Sequence, residues 1–367
     1  MKIFHFILDH RIGGPHAYVR TLSQWLGPVI ESVVVTTGRG SDTDVELFNF
    51  RHRMRLLYPL EIICNVWAIC WRFRRIASRS DLVFDIHGAA NLAPLIASRI
   101  LGIPVVWHFH ETVPSMRGLV RFGARVLSGM PHKIVVVAEA AARAFELKDI
   151  ELIPGAVESD FWKPVKKDRP ARNPGAPLRL VAIGNLNPLK GLDLLLDALS
   201  VVRFDWELTV AGAELSTFRK YASELRAKAA AIESISGSRV KFVGWMSQDG
   251  IRDLLSSGDV FILPSRSEAC PIALLEAMSM GMVCVASQVG DVRQILEDDH
   301  MGIVTSPGSV VGLTSALERV VGMEEAELSA MGLRARERIL RDYSPRAMAS
   351  KHLAVYRDLL AGVGVAS

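Results

Sequence analysis

Short apolar runs alternate with longer stretches of helical periodicity along this chain, and the alternation starts afresh near its middle. In the first half, residues 2–8, 32–36, 82–86, 105–109, 133–137 and 150–153 read as buried strands, and 15–26, 60–78, 92–101 and 120–128 as helices. In the second half the strand-like runs are 178–184, 207–211, 240–243, 260–263, 283–286 and 302–304. Helical stretches there cover 191–201, 215–230, 247–256, 271–280, 289–296 and 309–321, with a last one at 345–360. Apolar strands separated by helices indicate parallel sheets covered on both faces. Between the halves, residues 163–177 hold four prolines and almost no apolar bulk, a composition that links domains rather than building a core. The expected class is α/β, with a first Rossmann-like domain over 1–165, a linker at 166–177, a second doubly wound domain over 178–343 and a terminal helix within 344–367.

Composition narrows the function classes. Half the residues are hydrophobic and 22% are charged, which is globular and not disordered. A net charge of +4 over 367 residues is too small to suggest nucleic acid. Its distribution is uneven: eleven arginines stand against four acidic residues between Arg51 and Arg125. Residues 51–79, from Arg51 to Arg79, join several of these arginines to Leu56, Leu57, Trp67 and Trp71, as in a segment that lies on an anionic membrane surface. An ordinary buried helix with basic ends fits the same residues. The apolar run 56–71 falls short of the roughly 20 residues a membrane span requires. Cys64, Cys70, Cys270 and Cys284 have neither disulfide-framework nor zinc spacing, and the first nine residues read as a strand rather than a signal peptide. A cytoplasmic location follows, with the inner membrane face as a possible place of work.

Candidate chemistry concentrates at strand-to-helix junctions. Glu268 and Glu276 flank Pro271, directly after the apolar run 260–263. Proline suits the first helical turn, so Glu268 is expected in the loop and Glu276 one turn inside the helix. Ligands of open α/β sheets collect beyond the carboxyl ends of the strands, and free N–H groups at a helix start attract phosphate. Carboxylates placed there suit sugar hydroxyls, which donate hydrogen bonds. Gly13 and Gly14 follow the first strand, and Gly184, Asn185 and Lys190 occupy the matching stretch of the second half. His108 and His110 fall on one face of a strand, with Phe109 on the other. His87 is a weaker candidate for a cleft rim, and His16 fits a solvated position. No third ligand has suitable spacing beside the His-x-His pair, so no metal is expected. Asp42-Thr43-Asp44 has the form of a metal-binding D-x-D but no apolar strand leading into it.

The E-x7-E spacing of Glu268 and Glu276, with these glycine turns and the lead-in 101–106 to His110, resembles the family 4 retaining glycosyltransferases of the two-domain B fold. The resemblance implies two domains facing across a cleft, with the terminal helix crossing back to the first. It implies a nucleotide-sugar donor, a saccharide or lipid-linked saccharide acceptor entering through the first domain, and no cofactor. Residues implied at the donor are Gly13, Gly14, Gly184, Asn185, Lys190, Glu268, Ala269, Cys270, Pro271, Ile272 and Glu276; His110, Lys190 and Glu268 carry the catalytic roles. Several positions depart from the pattern. Asn185 stands where the family has arginine, Ala269-Cys270 where Gly-Phe is common, and Asp291 and Gln294 differ nearby. Those departures keep open a catalytically silent sugar-binding homologue. A Rossmann-type oxidoreductase would need a G-x-G-x-x-G turn, which Ile12-Gly-Gly-Pro-His16 does not supply.

Overall fold

The computed structural model describes residues 1–7, 14–27, 29–37, 44–47, 58–77, 81–113, 116–164 and 175–364. They form two compact units, Met1–Ala156 with Pro345–Ser367, and Val157–Ser344. In the first unit the order is β1 (Lys2–Ile7), α1 (Gly14–Leu26), β2 (Glu31–Thr37), β3 (Val45–Leu47), α2 (Tyr58–Phe73), β4 (Leu82–His87), α3 (Leu92–Leu101), β5 (Val105–Phe109), α4 (Arg117–Leu127), β6 (His132–Val136), α5 (Glu139–Phe145) and β7 (Ile150–Leu152). The sheet runs β3-β2-β1-β4-β5-β6-β7 with every described pairing parallel.

Alternation splits this sheet into two unlike faces. Phe4, Phe6, Phe84, Ile86, Trp107 and Phe109 turn to one face and pack with Ile69 and Phe73 of α2, Leu95 of α3 and Val120 of α4. Their strand neighbours His5, Asp85, His87 and His108 are also buried, although each is polar. Register brings these polar positions side by side: His5 is opposite Asp85 across β1 and β4, and His87 is opposite His108 across β4 and β5.

The second unit continues with β8 (Leu178–Ile183), α6 (Leu192–Leu199), β9 (Trp206–Ala211), α7 (Arg219–Ser236), β10 (Arg239–Gly244), α8 (Gln248–Ser257), β11 (Val260–Leu263), α9 (Ile272–Ser279), β12 (Val283–Ser287), α10 (Val292–Leu296), β13 (Ile303–Thr305), α11 (Val310–Gly322) and α12 (Glu325–Asp342). Its parallel order β10-β9-β8-β11-β12-β13 is apolar on both faces. Val260 and Ile262 pack with Leu195 and Leu317 on one side, while Phe261 and Leu263 pack with Leu274 and Ile339 on the other. Serine caps open two of its helices: Ser247 accepts from the Gly250 amide, and Ser309 from Gly312 at 2.9 Å. The chain closes with α13 (Pro345–Gly364), which belongs to the first unit.

The division between the units differs from the one expected at residue 165. Val157 and Trp162 are buried in the second unit's core, and the Trp162 carbonyl accepts from Ser279 Oγ at 2.7 Å. Packing therefore carries 157–164 into the second unit, while most of the expected linker lies outside the described residues. The periodicity reading missed β3, α5 and α12. β3 and α5 are short, and α12 buries only the narrow stripe Met331, Gly332, Ala335 and Ile339 in a highly charged sequence.

Candidate active site

In both sheets the order of the parallel strands reverses, between β1 and β4 and between β8 and β11, and such points gather ligands at the strands' carboxyl ends. In the second unit the loops after β8 and β11 meet there. Lys190 Nζ lies 2.6 Å from Glu268 Oε1, and Ser265 Oγ donates to the same oxygen at 2.8 Å. The lysine stem runs across Gly184, where an added Cβ would come within 3.1–3.2 Å of it. Gly191 has φ +64°, and a Cβ there would sit 2.0 Å from the Pro264 carbonyl, so only glycine lets the two loops approach this closely. Gly290 does the same below Glu268. At φ +56° its Cβ would meet the Ala269 and Glu268 carbonyls at 2.3 and 2.5 Å, and the neighbouring Asp291 amide donates to Ala269 O at 3.1 Å.

Arg266 completes this frame. It grips Asp193 with both terminal nitrogens, at 2.7 and 2.6 Å, and donates to the Pro188 carbonyl at 2.8 Å. Burial opposes ionisation of Asp193, but hydrogen bonds from Arg266 and Tyr221 outweigh it and hold the carboxyl down at about 2. The loop carrying Lys190 is thereby tied to the loop carrying Glu268. Asn185 is also engaged: its Oδ1 accepts from the Ala213 amide at 3.0 Å, fastening the β8 loop to the β9 loop. Pro271 stands one position before α9 rather than in its first turn, and its carbonyl takes the Leu274 and Leu275 amides. That leaves the Ile272 and Ala273 N–H groups at the free end of the helix. Glu276 lies one turn in and is half-buried, and Cys270 is half-buried in the loop before Pro271.

In the first unit, Gly13 lies outside the described residues and Gly14 opens α1. His110 follows β5 with its Nε2 at 2.9 Å from His87 Nδ1 and its ring edge-on to Tyr18 at 5.0 Å. Burial, then the nearby His108, push the His110 imidazole down to about 3, against the pull of Asp85, so it is neutral at physiological pH. His87 is not on a rim; only 2% of it is exposed. Strand alternation points it inward beneath the helical layer, where burial drives its imidazole well below the ordinary range. His16 sits half-buried in α1. Asp42 and Thr43 lie outside the described residues, while Asp44 accepts from the Val34 amide at 2.7 Å.

Residues the motif reading did not single out hold His110 in place. Glu111 accepts from the Ala89 amide at 3.0 Å and from the His110 amide at 2.9 Å, joining the ends of β4 and β5. Burial raises the Glu111 carboxyl, partly offset by those two N–H groups. Behind His110, Asp85 is surrounded by His108 Nε2 at 2.7 Å, His5 Nδ1 at 3.0 Å and the Tyr356 hydroxyl. Burial disfavours the Asp85 anion, yet the adjacent His108 and His87, with hydrogen bonds from His108 and His5, hold its carboxyl well below the usual range. His352 of α13 stacks on His108 and shares a 2.7 Å contact between its Nε2 and the Tyr18 hydroxyl. Donor atoms of Asp85, His108 and His352, of His5, Asp85 and His87, and of His87, His108 and His110 each converge within 4.8 Å. Spacing along the chain could not show these sets, because strand register and a distant helix assemble them.

Two sheets wound in this order, with a cationic and carboxylate site at a switch point, agree with the glycosyltransferase B fold. Residues 12–161 match Glycosyltransferase Family 4, and residues 177–322 match Glycosyl transferases group 1. The chain belongs to the family 4 glycosyltransferases. It is 23% identical over 317 residues to N-acetyl-alpha-D-glucosaminyl L-malate synthase of Bacillus anthracis, covering 80% of this chain and 79% of that one. It is 27% identical over 325 residues to alpha-D-kanosaminyltransferase of Streptomyces kanamyceticus, covering 79% and 78%. Among solved structures, Anabaena HepE in complex with UDP and glucose has the same fold, with a TM-score of 0.81 at 17% identity over 98% of this chain and 100% of that one. Sucrose-phosphate synthase from Thermosynechococcus elongatus follows at 0.79 and 18%, covering 98% and 99%.

Proposed function

We propose that this glycosyltransferase moves a hexose from a nucleotide-diphosphate sugar to a saccharide or lipid-linked saccharide acceptor, with retention at the anomeric carbon, in the assembly of a polysaccharide or glycoconjugate. The observation that carries this reading is the Lys190–Glu268 contact of 2.6 Å at the β8/β11 switch point. A lysine held there by a carboxylate is a preformed counter-ion for a diphosphate, next to the free amides of α9. Glu268 receives both Lys190 and Ser265 on Oε1, so Oε2 is available to a ribose or hexose hydroxyl. HepE was solved with UDP and glucose, and a nucleotide sugar of that kind is the donor class proposed for this chain.

Transfer then proceeds on one face of the sugar. The bond from the anomeric carbon to the phosphate oxygen breaks as the acceptor oxygen forms its bond on the same side, and the acceptor proton passes to a departing phosphate oxygen. Lys190 offsets the charge that builds on the leaving diphosphate, and positioning supplies most of the remaining acceleration. Neutral His110, with Nε2 engaged by His87, offers Nδ1 to the donor sugar. No step in this scheme is routed through a metal.

The acceptor side is assigned to the first unit. Ile63, Trp67 and Trp71 on α2 are 64%, 65% and 59% exposed, Trp67 and Trp71 stack, and Arg74 lies over Trp71 at 4.9 Å. An aromatic face bordered by Arg72, Arg74 and Arg75 suits the interface of an anionic membrane, where a lipid-linked acceptor resides. Among the described residues no helix is long and apolar enough to cross a membrane. A panel of UDP-, GDP- and ADP-sugars, read by thermal shift and by mass spectrometry of the products, tests the donor. One sugar nucleotide should stabilise the protein and be consumed; stabilisation without turnover, with every acceptor class supplied, would leave a silent sugar-binding protein instead. Flotation with anionic liposomes at low salt tests the surface, and Trp67→Ser should weaken it.

A further inference from the structure

The polar face of the first sheet holds more donor atoms than its hydrogen bonds use. Asp85, His108 and His352 are each 0% exposed and His87 is 2% exposed. Within this layer His108 Nδ1, His352 Nδ1 and His87 Nε2 have no hydrogen-bond partner, and Asp85 Oδ1 and His108 Nε2 have only each other. Leaving that many buried polar atoms unsatisfied is costly.

Their geometry is that of ligands. The Asp85 Oδ1 to His108 Nε2 separation is 2.7 Å, and both residues are fully buried. Ligand atoms of Asp85, His108 and His352 lie within 4.8 Å of one another. The outward atoms of two of these residues are already held. Tyr18 takes His352 Nε2 at 2.7 Å, which turns Nδ1 inward, and the Tyr356 hydroxyl donates to Asp85 Oδ2, which turns Oδ1 inward. Fixing the far atom of each ligand is what outer partners do around a bound metal.

We propose that the first unit carries a buried divalent metal site, zinc by preference, with Asp85 Oδ1, His108 Nε2 and His352 Nδ1 as ligands. Imidazoles with one carboxylate suit zinc and exclude the harder calcium and magnesium. The ligands come from β4, β5 and α13, so the ion fastens the C-terminal helix to the sheet. This role is structural and goes beyond the transfer reading, since neither Lys190 nor Glu268 takes part and no sugar is needed.

The full-length protein, stripped with a chelator and desalted, is incubated with zinc alone, desalted again and measured for metal by mass spectrometry, with melting followed in parallel. About one zinc per chain should be retained, with a higher melting temperature, and cobalt in its place should give the visible absorption of a low-coordinate nitrogen and oxygen site. His352→Ala should reduce affinity at least tenfold. Tyr18→Phe, which keeps all ligands and the ring, should weaken it by roughly 10- to 100-fold and covers the case in which His352→Ala fails to fold. A wild-type chain that retains no zinc and melts unchanged would overturn the proposal and leave a metal-free polar network. An affinity of Tyr18→Phe for zinc equal to that of wild type, read by competition with a chelator, would also overturn it, by placing the ion elsewhere.

Discussion

The two sheets have the same winding order around their switch points and differ in what they bury. The second sheet is apolar on both faces, and its polar chemistry stands at the loop tips, where Lys190 and Glu268 are half-buried. The first is apolar on one face only; the other buries His5, Asp85, His87 and His108 under cover from Tyr18, His352 and Tyr356. Topology therefore decides where polar groups can gather, while alternation within the strands decides whether they reach solvent. Groups in loops can exchange partners with a ligand. Groups between sheet and helices are held by one another and act on packing first.

That contrast can be broken by substitution. The largest effect is expected at Asp85: removing the carboxylate with Asp85→Ala strands the surrounding imidazoles and should cost about 3–5 kcal/mol in chemical denaturation. A loss below about 1 kcal/mol would show that the polar layer does not depend on its anion. Lys190→Ala should do the opposite, lowering turnover by roughly 10²- to 10³-fold while the melting temperature barely moves. Unchanged turnover with the correct donor would remove Lys190 from the active site. Gly290→Ala should destabilise the second unit by about 1–3 kcal/mol and distort the Glu268 loop, since alanine is strained at φ +56° and its Cβ meets two carbonyl oxygens. Wild-type donor affinity in that variant would argue against the close approach.

The smallest effect near neutrality is in the pH response, and it separates the units. His87, His110 and His352 have folded-state values below the ordinary imidazole value, His110 at about 3. The unfolded chain therefore binds protons first, and the stability of the first unit should fall as pH drops below about 6.5. Asp193, held down at about 2, contributes stability that is complete above about pH 4 and lost only as pH falls towards 2. Hydrogen exchange followed from pH 7 to 4 should show the first unit loosening before the second. Simultaneous loosening would contradict the assignment of neutral buried imidazoles.

Much of this was legible along the chain. The run 260–263 followed by Glu268, Pro271 and Glu276 placed a strand, a loop and a helix start in order, because each rests on local preferences. His108 and His110 on one face followed from a period of two. The boundary at 165 failed because Trp162 is drawn into the second core by contacts distant in sequence. Arg266 and Asp193 gave no signal, since an exposed arginine in a loop looks the same whether or not a carboxylate waits across the site.

The sequence by itself determined the alternation of strands and helices, the two-unit plan and the loops where chemistry stands, because apolar periodicity and turn residues act within a few positions of themselves. Tertiary structure alone decided that Asp85 faces His108 and His352 and that Asn185 spends its carbonyl on Ala213. It also bound the Lys190 loop to the Glu268 loop through Arg266. Those outcomes depend on strand register and on a helix returned from the far end of the chain. Close contacts between distant residues exist only once the chain is packed.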